Sequence, residues 1–493
     1  MLSSDPTMEC GLHPHCSASS ERSWRDECGV FGLYAPGLDV ARIAYFGIYA
    51  LQHRGQESAG IATGNGDTVR VHAGLGLAYQ VFDEQTISGL TGDVAVGHVR
   101  YSTTGGNIIA NAQPMLGEHK SGRFAVGHNG NLVNARELRD EMSAKGVTFE
   151  RSSDTEVICQ LIAQSDAETI EEAIAEAMAR MAGAYSLAIV TPNRVIGVRD
   201  PHGVRPLSIG RMGADGWVLA SETCAIHTVG GEFVREVQPG EVVTLDSRGI
   251  TSVQVTDPDR KACCIFEFIY FARPDSHIYG KSVYMSRVRM GHMLAQQSPV
   301  DADIVVPIPE TGIPAAIGFS QVSKVPFSEG FIKNRYIFRT FINPDQRMRD
   351  LGVRMKLTPL REALAGRRVI VVDDSIVRGT TTAPEVDLLR EAGAREVHLR
   401  ICCPPIKYPC FYGIDTSNRK ELIAARMTPE EICEHVGADS LHFLDMKGLV
   451  AAVGLPKGNF CTACFDRSYP IPIPREVKVT KFDLEEDKTA SEG

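Results

Sequence analysis

Long apolar segments and an excess of positive charge are both missing from this sequence. No apolar run approaches the ~18 residues that would span a bilayer, which argues against a membrane-embedded protein. Lys and Arg number 51 against 61 Asp and Glu, so the net charge of −10 argues against broad binding to nucleic acids or anionic membranes. A local basic pocket for a phosphorylated small molecule is still compatible with that charge.

The first 27 residues lack the features of a targeting segment. They have neither a basic n-region nor an apolar h-region, and their acidic residues argue against an organelle transit peptide. We therefore expect a cytoplasmic protein. The 13 cysteines are odd in number and unevenly spread, which is not the pattern of a secreted disulfide scaffold and predicts reduced thiols.

The chain of 493 residues exceeds one hydrophobic core of usual size, so two or three domains are expected. After the leader at 1–27, residues 28–260 mix short strands with Gly or Pro-Asn turns and paired helices, which predicts a layered α+β domain. Strands in 261–470 begin with continuous apolar runs, which predicts a parallel α/β sheet buried on both faces. The polar stretch 256–262 is the candidate linker, and a charged tail occupies 471–493.

Particular segments carry these expectations. The hydrophobic patterns predict strands within 68–82, 123–133 and 185–200, helices within 155–164 and 170–181, and strand–loop–helix units at 303–321 and 367–394. No internal repeat or low-complexity tract interrupts them.

A strand, an acid pair and a Gly/Thr loop follow one another in the second domain. The predicted strand 369–372 ends at Asp373 and Asp374, and "SIVRGTTT" then leads into a helix. A loop at a helix N-terminus offers backbone N–H groups to a phosphate. Adjacent carboxylates at the end of a strand hold sugar hydroxyls directly or through Mg²⁺. The alternative is a strand–turn–helix with a solvated acid pair, which the order of the three features disfavours.

The stretch "VVDDSIVRGTT" resembles the loop that binds 5-phosphoribosyl-1-diphosphate (PRPP) in type I phosphoribosyltransferases. The resemblance implies that Asp373 and Asp374 bind the ribose and Mg²⁺. It also implies a cradle for the 5-phosphate made by Ser375, Val377, Arg378, Gly379, Thr380 and Thr381. "PIPETGIPAA" (307–316) resembles the loop that meets the pyrophosphate and Mg²⁺, with Thr311 where the family has Ser.

The basic segments 331–342 and 347–356 resemble the mobile flap of the same family. Closing such a flap neutralises a polyphosphate and excludes water. The alternative is a solvated basic face. The implied flap cations are Lys333, Arg335, Arg339, Arg354 and Lys356.

Five short motifs in the first domain resemble the glutaminase domain of class II amidotransferases. They are "CGVFG" from Cys28, "HRGQESAGIA" from His53, "GHVRYSTTG" from Gly97, "GHNGNLVN" from Gly127 and "SSDTEV" from Ser152. The resemblance implies an N-terminal-nucleophile fold, a four-layer αββα sandwich, in which the nucleophile is Cys28. Residues 1–27 are then a propeptide, although Met8 is a second candidate start for the chain.

The chemistry of amide cleavage explains the residue types in these motifs. A thiol must be deprotonated to attack an amide carbonyl, and a free α-amine with a pKa of about 7.7–8.0 suits a general base at neutral pH. By the resemblance, Asn129 and Gly130 stabilise the oxyanion, Arg100 pairs with the glutamine α-carboxylate and Asp154 holds its α-ammonium. The alternative for Asp154 is a first-turn acid, because Ser153-x-x-Glu156 is a capping-box pattern. His53, His98 and His128 are expected to be structural.

Several of the cysteines suggest a metal site. Cys461-x-x-Cys464, Cys410 and one of the pair Cys263–Cys264 would supply four thiolates for a [4Fe–4S] cluster or a structural Zn²⁺, and spacing alone does not separate the two metals. Seven others have no assigned role: Cys10, Cys16, Cys159, Cys224, Cys402, Cys403 and Cys433.

The whole of 28–470 resembles the iron–sulfur, propeptide-bearing branch of the glutamine PRPP amidotransferases. That branch implies one [4Fe–4S] cluster on Cys264, Cys410, Cys461 and Cys464, and one Mg²⁺ near Thr311, Asp373 and Asp374. It implies that Cys28 hydrolyses glutamine and that the ammonia displaces pyrophosphate from PRPP, giving 5-phosphoribosylamine in the committed step of de novo purine synthesis. A homotetramer and inhibition by purine nucleotides are also implied.

Two alternative functions fit parts of this sequence. A glutaminase with another acceptor, such as glucosamine-6-phosphate synthase or asparagine synthetase, would need a sugar-isomerase or ATP-pyrophosphatase signature, and neither is present. A PRPP-sensing regulator would need no N-terminal Cys motifs and would need a basic DNA-binding module, which the net charge of −10 disfavours.

Overall fold

The computed structural model describes residues 27–101, 106–257, 260–334, 356–414, 416 and 418–474. Within these ranges an antiparallel sandwich is followed by a parallel sheet with flanking helices. None of the helices in the described ranges has the length and apolar character needed to cross a membrane.

Two antiparallel sheets form the sandwich. Their strands in chain order are β1 (Gly29–Tyr34), β2 (Ser58–Gly64), β3 (Val69–Leu75), β4 (Val94–Arg100), β5 (Met115–His119), β6 (Gly122–Leu132), β7 (Gly183–Val190), β8 (Val195–Arg199), β9 (Ser208–Met212), β10 (Gly216–Ala220), β11 (Glu232–Glu236), β12 (Glu241–Asp246) and β13 (Gly249–Gln254). In the described residues the first sheet has the order β11-β9-β10-β1-β4-β2-β3 and the second β13-β12-β8-β7-β6-β5.

Helices cover the outer face of each sheet. They are α1 (Val40–Ala50), α2 (Ala78–Val81), α3 (Glu84–Gly89), α4 (Ala135–Ala144), α5 (Asp154–Ala163), α6 (Ile170–Arg180) and α7 (Thr223–Thr228), with a 3₁₀ turn at Ile109–Asn111. One apolar cluster lies between the sheets, a second under α1, α2, α3 and α7, and a third under α4, α5 and α6. These clusters give the four-layer αββα sandwich that the motifs implied.

The strands and helices predicted for the first domain are confirmed except in one segment. The segment 68–82 was expected to form strands with Gly turns, but β3 ends at Leu75 and the helix α2 follows in place of a second strand. Gly76 has a φ of +116°, which breaks the strand, and the Gln80 side chain accepts a hydrogen bond from the Leu77 N–H at 2.9 Å. The apolar Leu77, Ala78 and Phe82 are then buried from a helix rather than from a strand.

The second part of the chain contains a parallel sheet in the order β17-β20-β21-β22, where β17 is Ile304–Pro307, β20 Arg368–Asp373, β21 Glu396–Ile401 and β22 Ser440–Phe443. Val305, Ile370, Val371 and Val397 are fully buried or nearly so, as expected for strands covered on both faces. The predicted strand–loop–helix units are confirmed, and Gly393, at a φ of +94°, follows Ala392, the C-cap residue of the second helix.

The other elements of this part are short strands and the flanking helices. The strands are β14 (Cys263–Cys264), β15 (His277–Ile278), β16 (Lys281–Ser282), β18 (Phe331–Lys333), β19 (Leu357–Pro359) and β23 (Phe460–Cys461). The helices are α8 (Val283–Gln297), α9 (Ile313–Ser323), α10 (Arg361–Leu364), α11 (Thr382–Glu391), α12 (Pro429–His435), α13 (Met446–Val453) and α14 (Ala463–Asp466). A π-helical turn lies at Glu267–Phe271, and 3₁₀ turns lie at Arg419–Glu421, Ile423–Ala425 and Lys457–Asn459.

The two parts of the chain are packed against each other through apolar side chains. Val133, Ala184 and Val204 of the sandwich belong to the same buried cluster as the core of the parallel sheet. The Cys264 N–H donates to the Val204 carbonyl at 3.1 Å, so backbone hydrogen bonds also cross this junction. Residues near the ends of the sandwich strands therefore contact the second part directly.

Candidate active sites

Cys28 lies in a buried position directly before β1. Its Sγ is 3.2 Å from the Tyr101 carbonyl oxygen and 3.4 Å from the Tyr101 amide nitrogen. Burial raises the pKa of the Cys28 thiol to about 11, although Arg100 and the Tyr101 backbone oppose the shift. In the uncleaved chain the thiol is therefore protonated at neutral pH and needs a base to become a nucleophile.

Asn129 and Gly130 lie together on β6, opposite Ser186 and Tyr185 of β7. Asn129 is fully buried, and neither its amide nitrogen nor its carbonyl oxygen has a partner among the described residues. Buried polar groups are nearly always hydrogen-bonded, so an orphaned buried amide indicates a functional position. Gly130 has a φ of +148°, and a Cβ there would lie 2.0 Å from the Ala184 carbonyl oxygen, so only glycine fits.

Arg100 and Asp154 are both buried near Cys28. Arg100 ends β4, and burial lowers the pKa of its guanidinium despite the nearby Cys28, Glu57 and Asp154. One Asp154 oxygen accepts from the Leu132 N–H at 3.1 Å, and the other is 3.7 Å from His128 Nδ1. Burial raises the pKa of Asp154, but His128 and the Leu132 N–H outweigh it and hold the pKa below its usual value. A cation and an anion thus face the thiol in an enclosed site.

Only one of the two hydrogen bonds of the capping box predicted around Asp154 is formed. The Ser153 hydroxyl accepts from the Thr155 N–H at 3.2 Å, so it does cap α5. The Glu156 carboxylate instead accepts from the backbone N–H groups of Glu150 and Arg151 at 2.9 and 2.8 Å. Asp154 is the first residue of α5 and also contacts Leu132 of β6, so a first-turn position and a ligand-binding role are compatible.

A buried ionic cluster next to Cys28 was not found from the sequence. Arg54 contacts Glu222 at 2.7 Å, Glu267 at 2.8 Å and Glu27 at 3.1 Å, and Arg205 also contacts Glu27. All five side chains are buried, and they come from both parts of the chain. The available signal was the sequence Glu27-Cys28 and the Arg within "HRGQE", but neither pattern shows which distant residues pair.

The acid pair and Thr311 come together at the end of the parallel sheet. Asp373 ends β20, and the two oxygens of Asp374 accept short hydrogen bonds from Thr311 and Ser375. Burial and the mutual repulsion of the two carboxylates raise the pKa of Asp373 well above its usual value. Burial also raises the pKa of Asp374, against the lowering effect of Ser375, Thr311 and Arg287. The donors are oxygen atoms, which Mg²⁺ prefers, and a cation would relieve this repulsion.

The loop that follows the acid pair leads directly into α11. Val377 is buried and Gly379 has a φ of +77°, a conformation that favours glycine. Thr380 and Thr381 are exposed beside the start of α11, where backbone N–H groups favour an anion. Arg378 forms an ion pair with Glu421 at 2.6 Å.

Glu385 is a third acid near the pair that the sequence patterns missed. It lies in the first turn of α11 and is buried. Burial and the neighbouring Asp374 raise the pKa of Glu385 to about 8. The sequence indicates Glu385 only as an acid in the first turn of the helix that follows the loop. Such acids are common at helix starts because they interact favourably with the helix dipole.

The described ends of the basic segment are Lys333 and Lys356. Lys333 closes β18, which pairs antiparallel with β19, and its Nζ is 3.8 Å from Glu310. The Asn334 N–H donates to the Lys356 carbonyl at 2.9 Å, so the two ends of the segment are held together. Arg335, Arg339 and Arg354 lie outside the described residues.

The four cysteines predicted to hold a cluster line one cavity together with Arg205 and Tyr412. Cys264 lies opposite Cys461 in the parallel pairing of β14 with β23. Cys263 is not among the residues that line this cavity. Within the described ranges no group of three or more His, Cys, Asp or Glu side chains is arranged to hold a metal ion.

Known proteins resemble this chain over almost its whole length. A family model for a glutamine amidotransferase domain matches residues 98–228. An amidophosphoribosyltransferase from Synechococcus elongatus is 50% identical over 487 residues, which cover 97% of this chain and 99% of the relative. A solved structure of the allosteric regulatory enzyme of purine biosynthesis has a TM-score of 0.87 at 46% identity, over 91% of this chain and 97% of its own. Glutamine PRPP amidotransferase from B. subtilis, solved with ADP and GMP, has a TM-score of 0.87 at 45% identity, over 92% and 99%.

Proposed function

We propose how two reactions are divided between the two parts of this chain, which belongs to the amidophosphoribosyltransferase family. The protein is a glutamine amidotransferase and a pentosyltransferase, and it catalyses the committed step of purine biosynthesis. The sandwich hydrolyses glutamine, and the parallel sheet carries the site where ammonia displaces pyrophosphate from PRPP. The observation that carries the first assignment is the orphaned amide of Asn129, buried on the strand that also holds Gly130.

In the sandwich, Cys28 is the nucleophile for the glutamine amide. Cleavage of the Glu27–Cys28 bond frees the α-amine that takes the thiol proton, which the buried thiol with a pKa of about 11 requires. Arg100 binds the α-carboxylate of glutamine and Asp154 binds its α-ammonium. The oxyanion of the tetrahedral intermediate accepts hydrogen bonds from the Asn129 side chain and the Gly130 N–H. Collapse of this intermediate releases ammonia and leaves a thioester that water hydrolyses.

In the second part, the loop from Ser375 to Thr381 binds the 5-phosphate of PRPP at the start of α11. Asp373 and Asp374 hold the ribose hydroxyls, and Lys333 at the base of the basic segment faces the polyphosphate. Asp373, Asp374 and Thr311 would hold one Mg²⁺ per subunit, which when bound neutralises charge on the departing pyrophosphate. The raised pKa values of the acid pair support a site that is completed by a cation.

Cys264, Cys410, Cys461 and Cys464 would hold one [4Fe–4S] cluster per subunit, as a structural group that joins three separate segments of the second part. Burial raises the pKa of all four thiols, and Arg205 opposes this shift at Cys264, Cys410 and Cys461, which favours an anionic group there. A cytoplasmic homotetramer inhibited by purine nucleotides completes the proposal. The relative solved with ADP and GMP supports the nucleotide part.

One assay tests the central proposal. Purified protein is incubated with PRPP and Mg²⁺, with either glutamine or ammonium as the nitrogen source, and pyrophosphate release is measured. We expect release with both sources, and no release with either would overturn the function. The intact mass of the active chain is expected to correspond to a chain that begins at Cys28. An active chain that still begins at Met1 would contradict the proposal that the α-amine of Cys28 is the base.

The metal assignment is tested separately. Protein prepared without oxygen is expected to absorb visible light and to contain about four iron and four sulfide per chain. Cys461→Ser is expected to lose the iron, whereas Cys433→Ser, which changes a thiol on α12, is expected to keep it. Colourless protein that contains zinc would overturn the cluster.

A further inference from the structure

Glu27, the last residue of the leader, is buried as deeply as the protein core. It is 1% exposed, and its neighbour Cys28 is 6% exposed. Acidic side chains are almost never fully buried unless they are paired. A leader that is only a solvated extension would leave its final carboxylate exposed to water.

Two buried arginines bind the Glu27 carboxylate. Arg54 contacts one carboxylate oxygen at 3.1 Å, and Arg205 contacts the other. Arg54 also donates through Nε to the Cys28 carbonyl oxygen at 3.0 Å. One guanidinium therefore binds a group on each side of the Glu27–Cys28 peptide bond, which restricts how that bond lies relative to the thiol.

Both arginines keep a carboxylate partner when Glu27 is absent. Among the described residues, Arg54 and Arg205 contact the carboxylates of Glu27, Glu222 and Glu267, and His53 also contacts Glu222 at 2.7 Å. Without Glu27, Arg54 still contacts Glu222 and Glu267, and Arg205 is 3.8 Å from Glu267. A buried charge without a partner is strongly destabilising, and loss of the leader leaves neither arginine in that state. The binding of Glu27 can therefore serve the uncleaved chain alone.

We propose that Glu27 is a positioning residue for removal of the leader, held by Arg54 and Arg205 so that the Glu27–Cys28 bond lies beside the Cys28 thiol. This inference rests on the proposed function, in which the leader is removed. The overall step is hydrolysis: the bond between the Glu27 carbonyl carbon and the Cys28 nitrogen breaks. The oxygen of water joins the Glu27 carboxyl group, and a proton goes to the Cys28 amine. Because the bond is buried, the reaction takes place within the folded chain, without access by an external protease.

The test follows the loss of the leader by intact mass after synthesis of the full chain. Glu27→Gln keeps the shape of the side chain and removes its charge, and Glu27→Asp keeps the charge on a shorter side chain. Glu21→Gln, at another acid of the leader, is the matched control. A second variant lacks residues 1–27 and has Met directly before Cys28, so that removal of Met alone frees the amine. Its activity with glutamine shows whether the mature protein needs Glu27.

We expect Glu27→Gln to slow cleavage by about tenfold or more, because a neutral amide forms weaker hydrogen bonds to the two guanidinium groups than a carboxylate does and holds the peptide bond less firmly. Glu27→Asp should be intermediate, Glu21→Gln unchanged, and the chain starting at Met-Cys28 fully active with glutamine. Cleavage of Glu27→Gln at the unchanged rate would overturn the inference. So would a large fall in the thermal unfolding temperature of Glu27→Gln in a Cys28→Ala background, because Glu27 would then support the fold. A wild-type chain that is active with glutamine while keeping its leader would instead overturn the proposed function.

Discussion

The glutamine site and the PRPP site differ in how far the folded chain completes them. In the glutamine site, Cys28, Asn129 and Arg100 are buried on or next to the strands of a closed sandwich. In the PRPP site, Thr380, Thr381 and Lys333 are exposed, on a loop and at the end of a short strand. Packing thus restrains the groups of the first site, whereas several groups of the second are open to solvent, and we expect its ligand to bring the charges that complete it.

The two sites also differ in the component that each needs for its reaction. Burial raises the pKa of Cys28 to about 11, so the thiol needs a base, which in our proposal is the amine freed by cleavage of one peptide bond. Burial and repulsion raise the pKa of Asp373, and in our proposal a bound cation offsets this repulsion. The proposed mechanism therefore activates the glutamine site once, by a covalent event, and completes the PRPP site in every catalytic cycle. The following predictions test this contrast.

Cys28→Ala should separate the two sites most completely. We expect glutamine-dependent pyrophosphate release to fall by about 10⁴-fold or more, because the nucleophile is lost. Release driven by ammonium should change little, since the PRPP site is separate. Parallel assays with the two nitrogen sources measure this, with Cys433→Ala as the control. An equal loss with ammonium would mean that the two sites are not independent.

Asp374→Asn should give the reverse pattern. It removes a negative charge that would hold Mg²⁺, so we expect pyrophosphate release to fall by about 10³-fold with either nitrogen source. Glutamine hydrolysis measured without PRPP should be retained. Asp387→Asn, an exposed acid on α11, is the matched control. Retention of ammonium-driven release would rule out the acid pair as the cation site.

Asn129→Ala tests whether the rigid site is preformed. Removing one oxyanion donor should lower kcat for glutamine hydrolysis by about 10²-fold with little change in KM. Ammonium-driven release should be unchanged, and Asn65→Ala in a surface turn is the control. A change confined to KM would instead assign Asn129 to ground-state binding.

The reactivity of Cys28 should distinguish the uncleaved chain from the cleaved one. Below a thiol's pKa the thiolate fraction rises about tenfold per pH unit, so alkylation of Cys28 in the chain that keeps its leader should rise up to about pH 11. In the cleaved chain the amine assists, and the thiol should react near neutral pH. Mass spectrometry of the alkylated peptide measures both rates. A plateau below pH 9 in the uncleaved chain would contradict this expectation.

Glu385 should give the smallest effect, on stability without ligand. Its folded pKa of about 8 lies above the usual 4.5, so the fold favours the protonated acid. The protonated Glu385 therefore contributes to the free energy of unfolding in full below about pH 4.5, and this contribution is lost as pH rises through 8. Glu385→Gln should therefore flatten the fall in unfolding temperature over that range by a few degrees. Glu362→Gln, at an exposed position, is the control and should leave the pH dependence of the unfolding temperature unchanged. If Glu385→Gln also leaves it unchanged, Glu385 is not the group that causes this pH dependence.

Sequence patterns were sufficient where function depends on short contiguous segments. The loop from Asp373 to Thr381 and the motifs around Cys28 and Asn129 are each continuous in the chain, so residue type and order indicated the chemistry. The second half of the segment 68–82 was predicted wrongly as strand because its few apolar residues do not show that a helix follows Gly76. Glu385 and the cluster around Arg54 were missed because burial, not spacing, gives those groups their properties.

The sequence by itself determined the two kinds of site, because a nucleophile beside its base and an acid pair before a Gly/Thr loop are local patterns of residue type. Through the resemblance of the whole chain it also predicted a set of four cysteines, and these line one cavity. Only the tertiary structure decided that Glu27 is bound by Arg54 and Arg205, and that Thr311 meets Asp374. Those partners are separated by 27, 178 and 63 residues, and such pairings arise when packing buries charges that must then be matched.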